Sequence, residues 1–155
     1  MFQTGYVTYA NQAKRRLLGV KKSTLREFGA VSTQTAKEMA SGALAAAKAD
    51  VAVSITGIAG PDGGTARKPV GLVYIGCSVQ GHTIRAGISI FPETVKKIRD
   101  NAVSAALTLT RRCILENCSK KGVIGDEEAP KSPLFLRLSA SLRQSLRFCY
   151  ASPCS

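Results

Sequence analysis

An α/β layered domain with a mixed sheet is the fold class this sequence predicts, on two observations. Strand and helix signals follow one another in the order strand, helices, strand, hairpin, helix. The 155 residues are 45% hydrophobic, which supplies one real core and leaves too little length for two full domains.

Each element has a local reason. The opening Thr4-Gly-Tyr-Val-Thr-Tyr-Ala10 is rich in β-branched and aromatic residues and reads as a strand. Asn11 is then placed to cap a short helix with Ala13, Leu17 and Leu18 on its apolar side, ended by Gly19. A second short helix is expected from Thr24 to Phe28, closing at Gly29. Ser32 caps a longer one in which Ala36, Met39, Ala40, Ala43, Leu44 and Ala47 recur at helical spacing, a small-residue stripe suited to close packing on a sheet. Val51 to Thr56 reads as a strand running into Gly57-Ile-Ala-Gly-Pro-Asp-Gly-Gly-Thr65, which cannot be regular structure. Val70 to Val79 and Thr83 to Phe91 form an antiparallel hairpin joined at Gln80-Gly81-His82. A last helix from Thr94 to Glu116 sets Val95, Ile98, Ala102, Ala106, Leu109 and Cys113 on one face, while Tyr74 and Cys77 are expected in the core.

Residues 119–155 differ in character: acidic and Pro-containing first, then rich in Ser, Leu and Arg. Three readings stand side by side. One is a basic amphipathic helix, from Leu138, Leu142, Leu146 and Cys149 beside Arg137, Arg143 and Arg147; the others are a solvated tail and an out-of-frame translation product.

Composition narrows the function classes. Lys and Arg number 22 against 10 Asp and Glu, a net charge of +12 that favours anionic partners. The bases are scattered, with Lys14-Arg15-Arg16 and Lys96-Lys97 the longest clusters, and neither aromatic ribonucleoprotein motifs nor a helix-turn-helix signal is present, which argues against specific nucleic-acid binding. No apolar run is long enough for a membrane span and the N-terminus lacks a secretion pattern, so a cytoplasmic protein is expected. Five scattered cysteines suit reduced thiols better than a disulfide scaffold. Cys113 and Cys118, and Cys149 and Cys154, share a spacing that is poor for structural zinc, and His82 in its turn is assigned no role.

Two clusters can carry chemistry. The glycines at 57, 60, 63 and 64, with the hydroxyls of Thr56 and Thr65, form a loop that suits an anion or nucleotide, although the spacing matches neither the phosphate loop nor the dinucleotide fingerprint and a structural turn is an equal reading. Tyr9, Asn11 and Lys14 fall where the first strand turns into a helix; a desolvated lysine there can act as a base with a tyrosine relaying the proton, against the plainer reading of a solvated lysine and a strand-end tyrosine.

At these clusters the sequence resembles a known family. Gly5-Tyr-Val-Thr-Tyr-Ala-Asn-Gln-Ala-Lys14, Leu18-Gly-Val20, Gly29-Ala-Val-Ser32, and above all Thr56-Gly-Ile-Ala-Gly-Pro-Asp-Gly-Gly-Thr65 followed by Lys68-Pro-Val-Gly71, look like the C-terminal domain of the competence/damage-inducible protein CinA, over residues 2–117. The resemblance implies an α/β/α layered domain that lacks the family's first strand and helix, with 118–155 a divergent tail. It further implies a nicotinamide-nucleotide amidase, which hydrolyses nicotinamide mononucleotide to nicotinate mononucleotide and ammonia without metal or other cofactor. Lys14 and Tyr9 match the family's catalytic lysine and tyrosine, which assist a serine nucleophile. Asn11, Thr56, Gly57, Gly60, Gly63 and Gly64 would line the substrate pocket. The family commonly associates, so a homo-oligomer is an expectation.

Two departures qualify the activity. The family's nucleophile lies in a Glu-Ser-Cys-Thr-Gly-Gly motif upstream of the tyrosine, and no such motif occurs in these 155 residues. The Gly-Asp-Arg stretch before the last helix reads Glu93-Thr94-Val95 here, which leaves Arg99 one turn later as a partial substitute for the substrate-holding arginine. Little or no turnover is therefore expected of this chain, and a non-catalytic nucleotide-binding or oligomerising module is the alternative.

Overall fold

Side chains alternate across a strand, so one sheet can serve a helix on each face. The computed structural model describes residues 2–79, 84–90 and 94–120. Its elements are α1 (Asn11–Leu18), α2 (Lys22–Glu27), α3 (Thr33–Ala47), β1 (Val51–Gly57), β2 (Leu72–Val79), β3 (Ile84–Ile90) and α4 (Val95–Lys120). The strands lie in the order β1-β2-β3, with Ser54 opposite Gly76, Ile55 opposite Ile75 and Gly87 opposite Ile75 on the other side. On one face the Ser54 hydroxyl donates to the Ala36 carbonyl of α3 at 2.6 Å. On the other, Ile55, Val73 and Ile75 cluster with Ile98, Ala102 and Ala106 of α4. The sheet is therefore sandwiched between α3 and α4, while α1 and α2 pack on α3 through Leu18, Val20, Leu25 and Met39.

Small residues set how closely the layers approach. A Cβ at Gly76 would run into the Ala36 carbonyl, and one at Gly42 into the Leu18 carbonyl, so α3 lies against both β2 and the end of α1 with no room for a methyl group. Ser32 caps α3 as expected, its oxygen accepting from the Thr35 amide at 3.2 Å. Ala36, Met39 and Ala40 are buried, and Ala43, Leu44 and Ala47 are half-buried.

Several expectations need correction. Thr4–Ala10 is not a strand: among the described residues no strand pairs with it, and Val7 and Tyr9 remain 54% and 47% exposed. High β-propensity does not make a strand without a partner for its backbone groups. The sheet of the described residues is antiparallel throughout, rather than the mixed sheet expected. Ala10, not Asn11, occupies the N-cap of α1, without a side-chain bond. Leu17 is exposed, and the residue buried beside Leu18 is Lys14. Tyr74 is half-buried, whereas Cys77 is fully enclosed. The hairpin is antiparallel as expected, its first strand beginning at Leu72 rather than Val70; its connection, including His82, lies outside the described residues. Helix α4 continues past Glu116 to Lys120, across the expected boundary at 117, and the 121–155 segment with its leucine and arginine series is outside the described residues. No helix among the described residues is long and apolar enough to cross a membrane.

Candidate functional site

One end of the sheet collects the features that suit a ligand. Gly57 pairs with Val73 and Leu72 with Ile90, so the 57–71 loop opens at the same end as the passage from β3 into α4. The Ser54 bond to Ala36 and the Thr56 bond to Ala30 bring the start of α3 there as well. Two helix N-termini, each with partial positive charge, thus flank the glycine loop, an arrangement that favours an anion. Arg99, in the second turn of α4, is exposed at this end and adds a full positive charge.

The glycine loop is closed at its base and folded on itself. The Ile58 amide donates to the Leu72 carbonyl at 2.9 Å and the Gly71 amide to the Ile58 carbonyl at 2.7 Å; farther out, Thr65 and Lys68 exchange backbone bonds of 2.8 and 3.0 Å. Gly57 is packed on the backbone of Leu72 and Val73. Gly60 (φ 78°) and Gly64 lie over Val70, where an added Cβ would sit within 3 Å of it, and Gly63 is exposed with φ 85°. The peptide between Gly60 and Pro61 is cis. Close internal packing therefore accounts for three of the four glycines, and residues 61–67 present the exposed rim.

Beside the loop, the turn joining α2 to α3 has four consecutive carbonyls that each accept from a side chain. Lys68 Nζ donates to Phe28 and to Val31, both at 2.8 Å. Thr35 and Ser32 hydroxyls donate to Gly29 at 2.7 and 3.1 Å, and the Thr56 hydroxyl to Ala30 at 2.8 Å. Carbonyls outside a helix or sheet ladder need such partners when water is scarce. Thr56, expected to line the pocket, is 6% exposed and its hydroxyl proton is engaged within the fold.

The second cluster sits at the entry to α1. Lys14 is 2% exposed, and its Nζ donates to the carbonyls of Thr8 at 2.7 Å and Tyr9 at 3.2 Å. The side chain has exchanged water for two backbone acceptors, which the cost of burying an amino group requires. Tyr9 lies five residues before it and is about half exposed, and Asn11 is exposed in the first turn of α1. An amine withdrawn from water in this way can take up and return a proton.

The structure thus bonds Lys14 to the backbone of Tyr9 at the entry to α1, and gathers Thr56, the glycine loop and the start of α4 at one end of the sheet. Sequence reasoning missed Lys68; the signal that could have found it is a lysine embedded in the loop motif ahead of Pro69, where a solvated surface role explains nothing. Among the described residues no three His, Cys, Asp or Glu side chains gather as a metal site would need.

Comparisons with known proteins bear on the family and the fold. The profile of the CinA C-terminal domain matches residues 1–114. A CinA-like protein of Kosmotoga olearia is 50% identical over 115 residues, 74% of this chain, and a putative competence-damage inducible protein of Clostridium novyi is 42% identical over 123 residues, 79% of this chain. The chain spans 28% of the length of each of these relatives. Among solved structures, the competence/damage inducible protein CihA of Agrobacterium tumefaciens superposes with a TM-score of 0.64 at 42% identity, covering 73% of this chain and 67% of that one. A CinA superfamily protein of Klebsiella pneumoniae does so with 0.63 at 35% identity, covering 67% and 64%. The matched stretch contains both clusters, and on these grounds the chain belongs to the CinA C-terminal domain family.

Proposed function

We propose that the domain to which these residues belong hydrolyses the carboxamide of nicotinamide mononucleotide to the carboxylate and ammonia, and that Lys14 is its base. The observation that carries this reading is the withdrawal of Lys14 from water onto the Thr8 and Tyr9 carbonyls, at the position matching the family's catalytic lysine. In its neutral form the amine takes the proton of a serine hydroxyl as that oxygen attacks the amide carbon, then passes a proton to the departing nitrogen; water completes the cycle by displacing the enzyme serine. Tyr9 relays or donates a proton beside it. Asn11, Thr56 and the glycine loop line the pocket, and the loop with the two helix N-termini and Arg99 favours the phosphate. The chemistry uses no cofactor.

The serine comes from a Glu-Ser-Cys-Thr-Gly-Gly segment, which these 155 residues do not contain. Loss of such a nucleophile costs on the order of 10⁶-fold in rate, so the chain as it stands is expected to turn over almost nothing. A version carrying that segment ahead of residue 2 should release ammonia from nicotinamide mononucleotide, and Lys14→Ala in that version should lower kcat by about 10³-fold or more. Unchanged turnover in Lys14→Ala would remove Lys14 from the mechanism.

A second reading, that these residues serve as a nucleotide-binding or oligomerising module, is favoured by the retention of the glycine loop without the serine motif. It predicts binding without hydrolysis, read by calorimetry, and self-association, read by sedimentation. Residence in the cytoplasm fits either reading.

A further inference from the structure

Lys68 has no part in the proton transfers above, yet its ammonium is more fully engaged than a solvated lysine would be. It leaves the tight turn at the outer part of the glycine loop, whose Thr65 and Lys68 backbones bond to each other, and reaches across to Phe28 and Val31, two carbonyls of the turn before α3. Gly29 makes room for it: a Cβ there would sit 3.2 Å from Nζ. Between Phe28 and Val31, the other two carbonyls are taken by Ser32, Thr35 and Thr56, so the acceptor turn is itself fixed by α3 and β1. Phe28 is also the C-cap of α2, where a cation is favoured by the partial negative charge of the helix end. The base of the loop is closed by Ile58, Gly71 and Leu72, but those bonds lie several residues from the exposed rim at 61–67.

From this geometry we infer that Lys68 is a positioning residue: its two hydrogen bonds hold the outer half of the glycine loop against the 28–31 turn and so fix the rim in the form that receives ligand. The ligand part rests on the nucleotide reading above; the tether itself does not. A tether acts by lowering the population of open loop states, and a preordered loop has less freedom to lose on binding.

The test uses the 155-residue chain with Lys68→Met, of similar length and without donors, and Lys68→Arg, which keeps a charge and a fork of donors. The peptide bond after Arg67 is a tryptic site on the exposed rim, and its cleavage rate in the folded chain reads loop opening. The Met variant is expected to be cut about tenfold faster than the native chain, with the Arg variant close to native. Equal rates in the native and Met chains, or an Arg variant cut as fast as the Met one, would overturn the tether. The calorimetric affinity for nicotinamide mononucleotide should weaken about tenfold in the Met variant and stay nearly native in the Arg variant. Faster cleavage with unchanged affinity would overturn the positioning role. Absence of binding by the native chain would count against the nucleotide reading, and the cleavage comparison would still decide the tether.

Discussion

Cys77 shows how one side chain can couple burial to pH. Fully enclosed on β2 beneath α4, its thiol is pushed up to about 12, first by burial and then by Cys113 beside it, with a Thr110 hydrogen bond opposing. An unfolded cysteine ionises near 9.0, so between the two values unfolding releases a proton. The stability from this site is complete below pH 9 and drains away as pH rises towards 12. Urea unfolding at pH 8 and pH 10.5 should therefore show a loss on the order of 1 to 2 kcal/mol that Cys77→Ala no longer shows. Parallel pH dependences in the two proteins would contradict it. Maleimide labelling resolved by peptide should likewise leave Cys77 and Cys113 unmodified in the folded chain at pH 8 and modify both once it is unfolded.

At the scale of elements, α3 is the keystone and its two special positions pull in different directions. Ser32 both accepts from the Thr35 amide and donates to the Gly29 carbonyl, so Ser32→Ala should cost about 1 to 2 kcal/mol in urea unfolding. Gly42→Ala carries a helix-propensity gain of roughly 1 kcal/mol, but the new methyl would meet the Leu18 carbonyl, and displacing α1 costs about 1 to 3 kcal/mol. A net loss is expected; a more stable Gly42→Ala would mean that α1 yields without cost. Periodicity and caps made α3, the hairpin and α4 legible because their signals are local. The Thr4–Ala10 strand failed because a strand exists only with a neighbour, which local propensity does not report. Leu17 and Lys14 exchanged their expected places for a related reason: one short helix offers too few apolar positions to fix which face is buried.

For the molecule as a whole, the antiparallel register brings the glycine loop, the start of α3 and the start of α4 to one sheet end. The loop was readable in the sequence as a break in regular structure, and the family resemblance supplied Lys14 and Tyr9. The bond network of Lys68, Thr56, Thr35 and Ser32 around the 28–31 turn was not, because it joins residues up to 40 positions apart and depends on the register of the sheet. On the amidase reading proposed above, Lys14 at the entry to α1 supplies the base and the glycine loop the anion-favouring surface. Its central test is ammonia release from nicotinamide mononucleotide by the 155-residue chain, run beside the version that carries a Glu-Ser-Cys-Thr-Gly-Gly segment ahead of residue 2. Silence in the first with turnover in the second is the predicted result, whereas turnover in the 155-residue chain that disappears with Lys14→Ala would mean that another nucleophile serves, and silence in both would contradict the amidase reading.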